Sequence, residues 1–187
     1  MFKKKLLKVK RGELAKEFDM LHIAKPGDVG LDVPVALPYK ENWENELSKY
    51  IDDCIAADDT PDQNMINEIK HGFIQINPGE RHLLPTDIRL EIPRGYWVAV
   101  EARSSTSKQS LIVPKGVIDE GYRGEIFAQI INVGTKPVVI HHGDRLVQLI
   151  IQKNETNGLI IEETNELSPS ERGESGFGSS GKSAIKE

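Results

Sequence analysis

Asp119 and Tyr122 stand three residues apart in the run Gly116-Val117-Ile118-Asp119-Glu120-Gly121-Tyr122-Arg123-Gly124-Glu125, a glycine-bounded hairpin leading into an apolar stretch. An aspartate at the mouth of a turn, once partly desolvated, can take a proton from water, and a neighbouring phenol offers a flat wall for a sugar. Asp and Gly are also ordinary turn residues, so this run by itself does not define a reaction.

A second chemical signal lies near the end of the chain. Gly176 to Ser183, Gly-Phe-Gly-Ser-Ser-Gly-Lys-Ser, satisfies the G-x-x-x-x-G-K-[ST] pattern of phosphate-binding loops. That loop needs a buried strand before it and a helix after it. Here Ser168-Pro169-Ser170-Glu171-Arg172 precedes it and only Ala184 to Glu187 follow, which argues against a P-loop fold. The local chemistry survives: glycines expose N–H groups, Ser179 and Ser180 add hydroxyls, and Arg172 adds a bidentate donor to phosphate. Composition leaves two readings, a Gly/Ser terminus without a role or a tail that folds over a nucleotide. Phe177 favours the second, because an aromatic with no core to join can stack on a base.

These groups need a scaffold, and turn signals at short intervals describe one: Pro26-Gly27, Pro78-Gly79, Pro93-Arg94-Gly95, Val133-Gly134-Thr135 and His142-Gly143-Asp144. Between them the runs 73–76, 87–92, 96–100, 125–133, 138–140, 145–151 and 159–161 are rich in Ile, Val and aromatics, and predict short strands of a sandwich, jelly roll or barrel. From Glu41 to Ala57, Trp43, Leu47, Tyr50, Ile51, Cys54 and Ile55 recur at helical spacing. With a second, weaker helix over 64–70, and Thr60-Pro61-Asp62 between the two as a turn or helix start, this predicts a helical insertion. The basic start, Lys3, Lys4, Lys5, Lys8, Lys10 and Arg11 alternating with Leu7, Val9 and later Leu14, suits a charged edge strand better than a nucleic-acid arm. His141-His142 reads as a strand-end pair facing solvent, since neither has a partner at metal-site spacing.

Composition narrows the function classes. With 187 residues, one domain with decorations is expected: a β domain over 1–167 with an insertion at about 40–71, then a flexible tail over 168–187. The net charge of -5 argues against stable binding to nucleic acid or an anionic membrane. Cys54 is the only cysteine, which excludes an internal disulfide and multi-cysteine metal sites. No signal-peptide core or spanning segment is visible, so a cytoplasmic location is expected.

Taken together, separated segments in order resemble the five motifs of trimeric dUTPases: 29–33 (Val-Gly-Leu-Asp-Val), Arg103-Ser104-Ser105, 116–125, 143–149 (Gly-Asp-Arg-Leu-Val-Gln-Leu) and 172–181. The resemblance implies a β-barrel or jelly-roll subunit in a homotrimer that hydrolyses dUTP to dUMP and pyrophosphate. By the same resemblance, Asp119 directs and deprotonates the water attacking the α-phosphorus, and Tyr122 stacks under the deoxyribose. The backbone at Val117 and Ile118 reads the uracil edge. Arg103, Ser104, Ser105 and Gln148 hold the phosphates, while Phe177 covers the base and Arg172, Gly178, Ser179 and Ser180 close on the triphosphate. No acidic or histidine cluster stands at metal-ligand spacing, which fits Mg2+ carried mainly by phosphate oxygens and water. Asp32 either reaches that ion through water or serves as a turn or interface carboxylate. Asp144 and Arg145 are expected to hold their turn.

Two other functions compete. The related dCTP deaminases share the scaffold and use a glutamate where Gln129 stands here, and an amide cannot shuttle the required proton. The other is a nucleotide-sensing module whose insertion, with Trp43 and Tyr50, docks a protein partner; packing of the insertion's apolar face onto its own domain is the simpler expectation.

Overall fold

The computed structural model describes residues 5–171 and 173. The chain is mainly β. A compact unit runs to Asn157, and a second unit from Gly158 onward is irregular where it is described.

Among the described residues ten strands form the β body: β1 (Lys8–Arg11), β2 (Gly30–Pro34), β3 (Phe73–Ile76), β4 (Arg81–Glu91), β5 (Tyr96–Ala102), β6 (Leu111–Ile112), β7 (Gly116–Ile118), β8 (Glu125–Asn132), β9 (Val138–His141) and β10 (Arg145–Lys153). They make two four-stranded sheets, ordered β1-β4-β8-β6 and β2-β10-β5-β7, and a β3-β9 ribbon. All the pairings are antiparallel. Alternation decides what each strand buries: β8 turns Ile126, Ala128 and Ile130 inward, and β4 turns Leu84, Ile88 and Leu90 inward. Both sheets contribute to one apolar cluster, with Val33, Val98, Val147 and Leu149 from the other side.

Charged β1 is an edge strand, as its pattern predicts; it pairs with β4 alone, and Lys8 Nζ reaches Glu91 at 2.7 Å. β4 begins six residues earlier than the sequence suggests, because the chain passes through Pro85 without leaving the sheet. The pairing with β8 shifts between Pro85 and Arg89, and the carboxylate of Glu125 accepts from the Thr86 and Asp87 amides at 3.2 and 2.9 Å. A side chain thus replaces the ladder partners that this bulge loses. The strand expected at 159–161 does not form: Ile160 and Ile161 are each 95% exposed and no partner is paired to them. Strand propensity in three residues is worth little without a neighbouring strand.

The insertion folds as expected, as helices α1 (Trp43–Ala56) and α2 (Gln63–His71). Asp62 caps α2 by accepting from Met65 N at 2.9 Å. The Lys40 amide donates to Lys70 O at 2.7 Å, closing the two ends of the insertion on each other. No helix among the described residues is long and apolar enough to cross a membrane.

Candidate active site

Three distant segments meet in a cleft of about 910 Å³. β5 ends at Ala102, and Arg103 starts the single helical turn α3 (Ser104–Ser107). Thr106, fully buried, pins that turn to β10 through Oγ1 donating to Leu146 O at 2.6 Å. β2 brings Asp32 alongside, paired in register with Gln148 of β10. Arg103 Nε donates to Asp32 Oδ1 at 2.7 Å and its Nη1 to Arg145 O at 2.8 Å; Arg145 Nη1 lies 3.6 Å from Asp32 Oδ2. Asp32 therefore holds two guanidiniums, groups that can bind phosphate, in the cleft it shares with Ser104 and Gln148, which Glu17, Asp19 and Asp28 also line.

Gln148 Nε2 donates to Ala102 O at 2.9 Å, and its side chain crosses β2 at Gly30, where any Cβ would overlap Gln148 Oε1. Ser105 Oγ is 3.5 Å from Arg103 Nη1, at the edge of hydrogen-bonding range.

Asp119 and Tyr122 sit on the loop between β7 and β8, and the hairpin expected from the sequence does not form, because β7 pairs with β5 in one sheet and β8 with β4 and β6 in the other. The Tyr122 amide donates to Asp119 O at 3.0 Å and its hydroxyl to Glu125 O at 2.9 Å, so the ring folds back over Gly124, where a Cβ would meet the hydroxyl. Glu120 Oε2 accepts from Gly95 N at 2.7 Å, tying the β7–β8 loop to the turn before β5. Asp119 and Val117 are exposed, and the Asp119 carboxylate has no hydrogen-bond partner among the described residues. This loop does not line the cleft. β7 pairs with the start of β5, Ile118 opposite Val98, whereas Arg103 follows its far end. Five strand residues at about 3.3 Å each put roughly 16 Å between the two places. Within one chain, the predicted base and the predicted phosphate group are not brought together.

Arg172, Phe177, Gly178, Ser179 and Ser180 lie outside the described residues. Asp144 holds its turn as expected, accepting from His141 N at 2.8 Å, while Gly143 takes the positive φ of 92° that the turn requires. His142 departs from expectation: it is 4% exposed rather than facing solvent, because the turn folds it onto His71 of the insertion, ring centroids 3.6 Å apart. Burial, followed by the charge of neighbouring His71, pushes its pKa below the ordinary histidine value. Sequence spacing could not show this pair, whose members are far apart in the chain.

The dUTPase family model matches residues 73–181. The deoxyuridine 5'-triphosphate nucleotidohydrolase of Beijerinckia indica is 44% identical over 117 residues, 60% of this chain and 72% of the relative. That of Caldanaerobacter subterraneus is 40% identical over 113 residues, 59% of this chain and 75% of the relative. Among solved structures, the Staphylococcus bacteriophage 80alpha dUTPase with dUPNHPP aligns with a TM-score of 0.65 at 24% identity, over 95% of this chain and 99% of that one. The fold, the sequence match and the segments that form the cleft lead to one conclusion: the chain belongs to the dUTPase family.

Proposed function

We propose that this chain hydrolyses dUTP to dUMP and pyrophosphate at sites assembled between neighbouring copies of itself in a homotrimer. The observation that carries this reading is the gap within one chain: Arg103, Ser104, Gln148 and Asp32 share a cleft, while Asp119 and Tyr122 stand at the other end of β5. A base that activates the water attacking the α-phosphorus must lie within hydrogen-bond reach of that water, beside the phosphates, so the β7–β8 loop of one copy is matched with the cleft of another. Assembly also gives a role to Leu83, 60% exposed, and Phe127, 44% exposed, which project from the outer face of the β4-β8 pair.

In this site Asp119 orients a water and accepts its proton as the oxygen attacks the α-phosphorus, and pyrophosphate departs. Arg103, Ser104, Ser105 and Gln148 hold the departing phosphates. Tyr122, fixed by Glu125 O and Gly124, forms the deoxyribose wall, and the β7 backbone at Val117 and Ile118 reads the uracil edge. Arg172, Phe177, Gly178, Ser179 and Ser180 close over the nucleotide.

Mg2+ fits the donor set only as an ion carried by the substrate. Asp32 already serves two arginines, and the one group of three candidate metal ligands found among the described residues, Glu17, His71 and His142, holds a single carboxylate. Asp32 would contact the ion through water, and the ion, when bound, would withdraw charge from the phosphates.

Pyrophosphate release measured across dUTP, dTTP, dCTP and UTP tests the reading, with release expected from dUTP alone. Ammonia release from dCTP would instead support a deaminase. Asp119→Asn is expected to lower kcat by at least about a thousandfold while nucleotide still binds. Hydrolysis persisting near the parent rate would remove Asp119 from its role.

A further inference from the structure

Two buried imidazoles and a carboxylate converge where the helical insertion meets the β body. His71 ends α2, His142 sits on the β9-β10 turn, and Glu17 ends a short 3₁₀ turn that follows β1. The His71 and His142 side chains are 0% and 2% exposed. Both Nδ1 atoms face the same backbone carbonyl, Leu37 O, at 2.8 and 3.2 Å. A carbonyl only accepts, so Nδ1 of each ring carries a proton and Nε2 points the other way. Those Nε2 atoms have no hydrogen-bond partner. What they face is Glu17 Oε2, at 3.7 Å from His71 Nε2 and 3.9 Å from His142 Nε2. The two buried, unpartnered nitrogens and the carboxylate oxygen thus form a set of donor atoms that all lie within 4.8 Å of one another.

We propose that Glu17, His71 and His142 bind a divalent transition-metal ion, with zinc as the best match, which fastens the helical insertion to the β body. Two imidazole nitrogens and one carboxylate oxygen are zinc's ordinary donors, whereas magnesium and calcium prefer all-oxygen sets. With bonds of about 2.0–2.1 Å, tetrahedral donors stand about 3.4 Å apart, and the observed carboxylate-to-nitrogen distances exceed this by a few tenths of an ångström. Each ligand already has the outer partner that orients a metal ligand. Leu37 O holds both rings, and the Tyr39 hydroxyl donates to the other oxygen of Glu17. Tyr39 also stacks on His71, and Phe18 packs at a tilt on His142, at centroid distances of 4.6 and 4.7 Å. The imidazole planes are 8° from parallel, so joint coordination tilts the rings toward each other about their shared carbonyl anchor. Glu17 and Phe18 also line the cleft that holds Arg103 and Asp32, and the ion would stiffen that wall as well as the insertion.

The test uses the full chain stripped with a chelator, then titrated with zinc chloride alone, with metal content per chain and thermal unfolding as readouts. One zinc per chain and a raised unfolding temperature are expected, and magnesium at the same concentration should give no such rise. Glu17→Gln and His142→Gln should each weaken zinc binding at least about tenfold. Glu17 is partly exposed, so its variant keeps the question answerable if the histidine variant folds poorly. Zinc that leaves the unfolding temperature unchanged, or that binds Glu17→Gln as tightly as the parent, overturns the proposal.

Discussion

Gly30 is a glycine because Gln148 occupies the space its side chain would need. The obstacle is the end of a flexible side chain, so Gly30→Ala should fold with little loss of stability while pushing Gln148 off Ala102 O. The expected result is a fall in kcat/KM for dUTP of about 5- to 30-fold, equivalent to about 1–2 kcal/mol, with an almost unchanged unfolding midpoint. A large drop in the midpoint would instead mark Gly30 as a strand residue. At this scale the sequence is informative about chemistry and silent about support. Asp119, Arg103 and Gln148 are legible from residue type and motif order. That Asp32 braces Arg103 and Arg145, or that Tyr122 lies over Gly124, is not, because those contacts join residues whose neighbourhood exists only after folding.

Among the elements, β4 shows why a proline misleads a reading of the sequence. Pro85 cannot donate to a ladder, so the run before Asp87 does not read as strand; the structure keeps the strand and lets Glu125 accept from the Thr86 and Asp87 amides. Glu125→Ala should leave both amides without that partner and destabilise the fold by about 1–3 kcal/mol, read as a lower urea midpoint with an unchanged slope. The helical insertion was legible throughout, since apolar spacing over α1 and the Asp62 cap are local signals. The converse failure is 159–161, where local propensity suggests a strand and no partner strand is paired to it.

For the whole molecule, the separation of Asp119 from Arg103 along β5 makes a prediction that single-site substitutions cannot test. Arg103→Ala and Asp119→Ala proteins should each be nearly inactive. Unfolded together and refolded as a mixture, they should regain a measurable fraction of parental dUTP hydrolysis, because some mixed assemblies contain sites with both residues intact. A mixture no more active than its components would place both residues of each site on one chain. Leu83 offers the matching assembly test: Leu83→Glu puts a charge on the exposed apolar face of the β4-β8 pair, and should shift size-exclusion elution toward the monomer with parallel loss of turnover.

The mainly β class, the charged edge strand and the helical insertion were legible in the sequence, because each rests on local periodicity, turn chemistry or residue type, and the motif order was legible through the resemblance to the dUTPase family. Tertiary structure alone decided which of those residues meet. It gathered Asp32, Arg103 and Gln148 into one cleft, kept Asp119 at the opposite end of the same strand, and drew His142 from an apparent surface position onto His71. Such meetings depend on strand register and on how an insertion packs against a sheet, and neither is encoded in the spacing of any single segment.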